Sequence, residues 1–516
     1  MTARKTKMLP VSRRVVMGGM AAGASLAMIG PGRAAPKRGG ILRVAADFQP
    51  TNLDPVAGSQ GGDFRFLYPI YQSLVDWEPD TLKPKPGLAT KWTFTDPTTL
   101  VLELRQNVKF HDGTPFNAEA AKFNLERSRT DPKSNIKNDL GSVDTIDASG
   151  PYQITLKLKK PNAALPSILA ERAGLMASPT AVQKFGGDYP RNPVGTGPWK
   201  FTAWRDNEIV SVRRNESYWQ SGQPYLDGID FKIIADTNIG LRSVIAGEND
   251  LVTSLSSAQK ATVDRESSVA SSFGASQAMF PIWINYARPP FDDVRVRQAL
   301  NYAVDRNVFN KATMAGLNEL APGILPKAHW AYDPSIANRY PHDVAKAKEL
   351  LAAAGHPNGF EMSLIGPTDE RSRQRQEVII EQLKQVGITV KLMGFSVNDA
   401  IKSFFTDKAG DALLILWGGR PDPTMTFRDL FSKESFYNPA RTEPDGYAAA
   451  LAETEASQDF AVRAKALSKV QNIVADNALM VPLVFDSQYV VFGKKVKGYT
   501  PNLFGRPRYD DVYIES

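Results

Sequence analysis

The chain has 516 residues, a length typical of two or three domains rather than one. Its composition, with 42% hydrophobic and 23% charged residues, is that of a soluble globular protein. The formal charge of +7 comes almost entirely from residues 1–34, which hold six of the 62 basic residues and no acid, so 56 basic residues face 55 acidic ones in the remainder. We therefore expect no nucleic-acid partner, because no basic surface survives that subtraction.

Residues 1–34 have the pattern of an export signal. The basic segment MTARKTKMLPVSRR precedes an apolar, Gly/Ala-rich stretch, Val15–Ile29, and small residues follow it, which predicts cleavage near Ala34. Ser12–Arg14 resembles the start of a twin-arginine export motif, but Val15–Met17 departs from its usual continuation, so the general secretory route stays open. No other run approaches the roughly 20 apolar residues of a membrane span.

The sequence contains no cysteine. Without disulfides, a chain of this size is expected to be stabilised by its own hydrophobic core. The absence also argues against a lipid-anchored cysteine, and an exported protein without that anchor is expected to be retained in a Gram-negative periplasm.

The first half of the mature chain is predicted to be mostly β-structure. A short strand, ILRVAAD, opens it, and the segments Leu100–Asn107 and Ile154–Lys160 alternate apolar and polar residues as half-buried strands do. Between those two segments, Asn117–Arg129 fits a helix.

After about Gln277, helical and strand patterns alternate, which predicts an α/β layer with parallel strands. The predicted helices are Asp292–Arg306, His342–Gly355, Arg371–Val386 and one within Ala461–Ala478, and the predicted strands between them are ITVKLMG and DALLILW. Two further apolar strands, near Met279 and Leu479, bracket this half. A chain that leaves one domain and returns through a matching strand forms two adjacent crossovers, so we expect a hinge with a ligand cleft between two lobes.

The sequence lacks the common catalytic motifs. G-x-S-x-G, H-E-x-x-H and the phosphate-binding and dinucleotide-binding glycine motifs do not occur, and four scattered histidines lack metal-ligand spacing. We interpret His111, in FHDGTPF, as a turn residue rather than a base. The prediction is a protein that is not an enzyme and has no cofactor or metal, with a secreted hydrolase as the alternative from another class.

A series of long motifs covers the mature chain: GGILRVA with NLDP, YQSLVDWEPDTLKPKPGLATKW, LRQNVKFHDGTPFNAE, GTGPWKF, RNESYW, YLDGIDFKII, RPPFDDVRVRQALNYAVDR, AKAKELLAAAGHPNG and VKGYTP. In this order they resemble the family 5 extracytoplasmic solute-binding proteins of ABC importers. That family includes carriers of dipeptides, oligopeptides, nickel, glutathione and opines.

The resemblance implies an α/β fold of the two-lobed periplasmic binding protein type, type II, with an extra domain inserted in the first lobe. It places lobe I at residues 36–78, 193–276 and 485–516. It places the inserted domain at 79–192 and lobe II at 277–484.

The segment LLILWGGRPDP supplies the main candidate for ligand binding. In peptide-binding family members, a tryptophan followed by glycine and an aspartate lines the cleft, and the aspartate pairs with the peptide's amino terminus. Aligning Trp417 with that tryptophan places Arg420 where the aspartate would be, so the charge is reversed and the site suits a carboxylate or phosphate. Gly419 is expected to allow a close backbone approach or a positive φ, and Pro421 to hold Arg420 extended. The alternative is an arginine that pairs with a nearby acid and stabilises the loop.

The other candidate residues are Arg172, Trp417 and Asn52. Arg172 aligns with a stretch that in some family members brings an arginine to the cleft, and the alternative is a helix-end arginine paired with Glu171. Trp417 offers a stacking face or a core contact. Asn52 either binds the ligand or shapes the NLDP turn, and we favour the turn.

The sequence therefore predicts a monomeric periplasmic receptor that captures a small organic solute and presents it to an inner-membrane ABC permease. Because of the reversed charge at Arg420, the solute is expected to bear a carboxylate. The alternative within the family is a conventional di- or oligopeptide carrier. Ligand contacts with both lobes are expected to favour the closed form.

Overall fold

The computed structural model describes residues 36–58 and 61–515. The export signal predicted for residues 1–34 lies outside the described residues, as does its cleavage position. In the described part of the chain, no helix combines the length and the apolar character needed to cross a membrane.

The strands, in chain order, are β1 Ile41–Ala46, β2 Val75–Trp77, β3 Pro84–Pro86, β4 Ala89–Asp96, β5 Thr99–Leu104, β6 Val143–Gly150, β7 Gln153–Leu158, β8 Trp199–Arg205, β9 Ile209–Arg214, β10 Gly228–Ile233, β11 Leu251–Val252, β12 Val269–Gly274, β13 Met279–Ile284, β14 Glu361–Pro367, β15 Thr389–Phe395, β16 Ala412–Leu414, β17 Met480–Phe485, β18 Gln488–Gly493, β19 Val496–Lys497 and β20 Tyr513–Ile514.

The α-helices, in chain order, are α1 Phe64–Ile70, α2 Ala118–Thr130, α3 Leu165–Ile168, α4 Pro179–Phe185, α5 Thr237–Ile245, α6 Lys260–Val263, α7 Val294–Ala303, α8 Arg306–Met314, α9 Val344–Ala353, α10 Glu370–Lys384, α11 Val397–Ile401, α12 Pro423–Phe431, α13 Tyr447–Glu453 and α14 Phe460–Asp476.

A seven-stranded sheet in the order β12-β18-β11-β1-β10-β9-β8 combines strands from both ends of the chain. Strand β1 lies at its centre and runs parallel to β10 and β11, and its alternate residues Leu42 and Val44 are fully buried. Burial on both faces of a central parallel strand explains why ILRVAA reads as a nearly continuous apolar run. A separate antiparallel sheet, β4-β5-β7-β6, lies within residues 89–158, and helix α2 packs on it.

The second large sheet has the order β15-β14-β16-β13-β17. Strand β14 pairs in parallel with β15 and β16, whereas β13 pairs antiparallel with β16 and β17. The prediction of parallel strands is thus correct only for the part built from helix–strand alternation. Strands β13 and β17 differ because the first brings the chain into this sheet and the second takes it back in the opposite direction.

The two crossovers between the large sheets lie side by side. Met279 of β13 pairs with Phe485 of β17, the backbone N–H of Asp486 donates to the carbonyl of Ala278 over 2.6 Å, and the hydroxyl of Ser276 donates to the carbonyl of Asp486 over 2.6 Å. This is the adjacency expected of a hinge. The strands on either side fall within the predicted lobes, whose boundaries stay a prediction.

Two predicted elements differ from the structure. The helix predicted over Asp292–Arg306 ends at Ala303, because Val304 is extended and the carboxylate of Asp305 accepts from the backbone N–H groups of Asn307 and Val308, which starts α8. The strand predicted over DALLILW is only Ala412–Leu414; the chain then leaves the sheet and returns at Trp417, which forms an isolated bridge with Met279.

Candidate functional site

A cavity of about 1100 Å³ lies between segments of the two large sheets, next to the crossovers. One side includes Asp47, Arg65 and Thr253, close to the seven-stranded sheet, and the other includes Phe280, Trp283, Trp417 and Arg420, close to the five-stranded sheet. The volume is that of a site for a small organic molecule or a short peptide.

The loop after β16 carries three of the predicted site residues to this cavity, since Trp417, Gly419 and Arg420 all line it. Gly419 has a φ of +73°, and a Cβ atom there would lie 2.6 Å from the side chain of Gln277 in the crossover. Both observations require glycine at this position. The close approach holds the loop against the hinge.

Arg420 makes one ion pair within the described residues. Its Nε donates to Oδ2 of Asp429, in the second turn of α12, over 2.6 Å. Its two terminal nitrogens form no hydrogen bond with residues 36–58 or 61–515, and the side chain is 30% exposed. The structure thus combines the two sequence-based interpretations: the arginine stabilises its loop and also presents N–H groups to the cavity.

Acidic residues surround this guanidinium. Burial alone would lower the pKa of Arg420, but the charges of Asp429, Glu171 and Asp139 raise it above its ordinary value. The pKa of Asp139, one of these acids, is also shifted. Burial, together with Glu171 and Asp429, raises it to about 7, although Arg420 and Arg172 act to lower it. The electrostatic field at Arg420 therefore changes near neutral pH.

Trp417 belongs to an aromatic cluster in the cavity wall. Its ring is 6% exposed and packs edge-on against Trp283 and Tyr437, at centroid distances of 5.9 and 5.1 Å. The guanidinium carbon of Arg420 lies 5.7 Å from its ring centroid. The tryptophan is both a core residue and part of the wall, where the cluster offers apolar surface to a ligand.

Arg172 is not among the described residues that line the cavity. It is 7% exposed, lies 3.6 Å from Asp63 in an ion pair and stacks on Phe64 at 4.7 Å, and its pKa is lowered by burial. The alternative of an exposed arginine paired with Glu171 also differs from the structure, because Arg172 is buried and pairs with Asp63, whereas Glu171 pairs with Arg506 over 2.7 Å. Arg506 lines the cavity itself.

Asn52 lies in a turn, as the sequence favoured. Its Oδ1 accepts from the backbone N–H of Asp54 over 2.8 Å, which closes an Asx turn. Like Arg172, it is absent from the described lining residues.

Sequence reasoning missed most of the charged lining. Five arginines and four acids line the cavity among the described residues: Arg65, Arg371, Arg375, Arg420, Arg506, Asp47, Asp369, Glu370 and Asp486. Five of them come from DERSRQR, residues 369–375, and from the crossover. The sequence identified that run only as the start of a helix, although a cluster of arginines in the first two turns opposes the helix dipole and could have suggested a role beyond folding.

Several lining groups have unsatisfied polar atoms. The hydroxyls of Thr253 and Tyr499, the indole N–H of Trp417 and Nη1 of Arg506 are buried and form no hydrogen bond with the described residues. Buried polar groups are normally satisfied, so their concentration here is typical of a site that binds polar ligands.

Two of the four histidines, His111 and His329, have pKa values lowered by burial in the fold. His111 contacts the carbonyl of Gly197 through Nε2 over 3.0 Å and accepts from the N–H of Gly195 through Nδ1, and burial lowers its pKa to about 4. Burial likewise lowers the pKa of His329 to about 4. In the described residues, no group of three or more histidines and acids is placed to hold a metal.

The family model for bacterial extracellular solute-binding proteins, family 5 Middle, matches residues 83–438. The glutathione-binding protein GsiB of Escherichia coli strain K12 is 29% identical over 487 residues, which cover 89% of this chain and 91% of GsiB.

Two solved structures are similar over nearly the whole chain. The periplasmic binding protein AgaA of A. tumefaciens R10, in complex with agropinic acid, has a TM-score of 0.79 and 26% identity, covering 92% of this chain and 99% of AgaA. DppA from Helicobacter pylori, in complex with the peptide STSA, has a TM-score of 0.82 and 24% identity, covering 93% of this chain and 99% of DppA. The two-lobed α/β fold of periplasmic binding proteins is therefore shared.

Proposed function

This chain belongs to the family 5 bacterial extracellular solute-binding proteins, the substrate-binding components of ABC importers, and we propose that its solute bears a carboxylate bound by Arg420. Family members bind small solutes or peptides and deliver them to ABC permeases. The proposal concerns which solute this member takes.

The observation that carries the proposal is the position of Arg420 in the cavity wall. Its Nε is committed to Asp429, while its terminal nitrogens lie free of hydrogen bonds to the described residues and are partly exposed. A hydrogen bond to a charged group is worth about 1.5–3 kcal/mol, enough for a carboxylate to be selected over a neutral analogue. The planar fork of a guanidinium matches the two oxygens of that group.

The names of two relatives are consistent with acidic cargo. AgaA was solved with agropinic acid, and GsiB is named for glutathione, a peptide that carries carboxylates. DppA was solved with a peptide, and a peptide carrier is the second candidate. The acidic lining residues Asp369, Glu370 and Asp486 favour that candidate, because one of them could receive a peptide's ammonium group.

In this proposal the chain works as a monomer in the periplasm after removal of a signal ending near Ala34, and no bond of the solute is made or broken. Lobe I consists of 36–78, 193–276 and 485–516, the inserted domain of 79–192, and lobe II of 277–484. A solute that contacts Arg420 from one side and Arg65 or Tyr489 from the other favours the closed lobes.

The test is native mass spectrometry of the purified protein, with identification of any released cargo, on the wild type and on Arg420→Ala. We expect an acidic cargo on the wild type and its loss from the variant. Arg428→Ala is a matched control, since Arg428 lies on α12, pairs with Glu455 and does not occur among the described lining residues. A cationic or neutral cargo that the Arg420 variant retains would contradict the proposal.

A further inference from the structure

A single arginine of the cavity stands apart from the other four. Arg65 pairs with Asp47, Arg371 donates to Thr237, Arg420 pairs with Asp429 and Arg506 pairs with Glu171. Arg375 forms no hydrogen bond and no ion pair with residues 36–58 or 61–515, and its Nε is buried. A buried N–H group without an acceptor is costly in a folded protein, so the unpaired Nε of Arg375 in a cavity wall indicates a role for this side chain.

The surroundings of Arg375 fix its orientation. It projects from the second turn of α10, and its guanidinium carbon lies 4.1 Å from the ring centroid of Phe280. Stacking covers one face of the guanidinium and leaves its edge, which carries the N–H groups, for a planar acceptor. Asp486 and Asp369 influence its charge but form no ion pair with it.

A second cavity of about 320 Å³ opens beside this arginine. Its lining is otherwise almost wholly apolar and includes Phe280, Pro367, Val397, Ile401, Leu414 and Leu416. Val397 is 50% exposed and Leu416 41% exposed, so this cavity presents apolar surface to the solvent. Phe280, Ile401, Leu416 and Arg375 line the main cavity as well, so the two cavities adjoin each other.

We propose that Arg375 binds a second acidic group of the solute and that the apolar side cavity takes the hydrocarbon group attached next to it. The inference rests on the proposed function and narrows the substrate class. The solute is then an organic diacid in which one carboxylate, held by Arg420, is distant from the apolar group. The other carboxylate lies on the carbon that carries that apolar group, as in an N-acylated leucine.

The test uses three probes that differ in one feature each: N-succinyl-L-leucine, its C-terminal amide N-succinyl-L-leucinamide, and N-succinyl-L-alanine. Calorimetric titration of the wild type should give the tightest binding for N-succinyl-L-leucine. The amide should bind at least tenfold more weakly because it lacks the second charge. The alanine compound should also bind at least tenfold more weakly because three carbons leave the apolar cavity.

The variant Arg375→Gln should lower the affinity for N-succinyl-L-leucine at least tenfold and leave the affinity for the amide unchanged within about twofold. Arg373→Gln is the matched control, because Arg373 lies two residues away on the same helix, is exposed and is not among the described lining residues. Arg375→Lys, which keeps the charge without the planar fork, should give an intermediate loss of affinity for N-succinyl-L-leucine. It also serves as a second variant in case the glutamine variant fails to fold.

Equal affinity of the wild type for the acid and the amide, or equal affinity of wild type and Arg375→Gln for the acid, would overturn the inference, as would failure of all three probes to bind. None of these results decides the proposed function, which depends on the cargo and on Arg420. Suppose that Arg420→Ala loses the acidic cargo while Arg375→Gln binds N-succinyl-L-leucine as the wild type does. The proposed function would then hold, and only the second contact would be refuted.

Discussion

Arg420 donates a hydrogen bond from Nε to Oδ2 of Asp429 over 2.6 Å, and the two side chains remain 30% and 28% exposed. The pair fixes the guanidinium at the cavity wall and also offsets part of its charge. A partly exposed pair of this kind contributes little to folding, about 0–1 kcal/mol. We therefore expect its main effect to be on what the cavity binds.

Replacing the acid tests this effect. Asp429→Asn keeps an acceptor for Nε but removes the negative charge, so the affinity for a carboxylate ligand should rise about twofold to tenfold while the free energy of unfolding falls by less than about 1 kcal/mol. Titration calorimetry and thermal melts measure the two quantities. Asp407→Asn, which removes the partner of Lys402 at the surface, is the control. A tenfold loss of affinity in Asp429→Asn would mean that the acid is needed to aim the arginine.

The pKa of about 7 at Asp139 predicts a pH dependence of binding. Asp139 is mostly neutral at pH 6 and mostly ionised at pH 8, where its negative charge near Arg420 opposes an anionic ligand. The affinity of the wild type for a carboxylate should therefore fall several-fold from pH 6 to pH 8. In Asp139→Asn it should be nearly constant, and equal pH profiles for the two proteins would contradict this coupling.

The same shift has a consequence for folding. Because burial raises the pKa of Asp139 above its ordinary value of about 4, the folded state binds its proton more tightly, and the contribution to stability is lost as pH rises from about 4 to about 7. Asp139→Asn should therefore raise the melting temperature relative to wild type at pH 8 and leave the difference small at pH 4. Scanning calorimetry at the two pH values measures it, and a lower melting temperature at pH 8 would be the opposite result.

The two glycines before Arg420 give a matched pair of substitutions. Gly419→Ala places a Cβ atom 2.6 Å from Gln277 at a φ of +73°, whereas a Cβ at Gly418 meets nothing within 4 Å and its φ is not positive. We expect Gly419→Ala to lower the free energy of unfolding by about 1–2 kcal/mol or more, and Gly418→Ala to change it by less than about 0.5 kcal/mol. Urea unfolding measures both, and similar values for the two variants would refute the argument.

Asp422 and Arg463 form a fully buried ion pair at the start of α12, with side chains 1% and 3% exposed and a separation of 2.7 Å. Asp422 also caps α12 by accepting from the N–H of Thr424. Burial acts to raise the pKa of Asp422, but Arg463 and its hydrogen bonds lower it overall.

Removing one partner should be costly. Arg463→Met leaves an unpaired buried carboxylate and should lower the free energy of unfolding by about 3–5 kcal/mol. Arg463→Met combined with Asp422→Asn should recover part of that loss, as a double-mutant cycle in urea would show. A loss below about 1 kcal/mol in the single variant would mean that water reaches the pair.

Much of the fold was predictable from sequence because its helices and strands carry clear periodicity and end signals. The amphipathic helices around Arg371–Val386 and Ala461–Ala478 were correctly placed to within a few residues. The break at Val304 was missed because the apolar pattern continues through it, and only the cap at Asp305 separates α7 from α8. The strand predicted over DALLILW was too long. Ile415 and Leu416 are apolar because they line the cavity, and they do not belong to the sheet.

The candidate site was only partly predictable. Arg420 was expected in the cavity wall because its segment could be aligned with a known motif and because glycine and proline restrict the backbone around it. It does line the cavity, and its contact with the solute stays a prediction. Arg375 had neither an aligned motif nor restricting glycine and proline neighbours. A single arginine in an amphipathic helix is usually a solvated surface residue. The fold brings the Arg375 side chain to the cavity, where it stacks on Phe280 from a strand almost a hundred residues earlier.

A crystal structure of the protein with its co-purified solute bound would show which residues hold the solute's acidic groups. We predict that a carboxylate of the solute lies within hydrogen-bond distance of the terminal nitrogens of Arg420, about 2.7–2.9 Å, while Nε keeps its bond to Asp429. A bound solute whose acidic groups lie elsewhere, with Arg420 contacting only Asp429, would contradict a role of Arg420 in carboxylate binding.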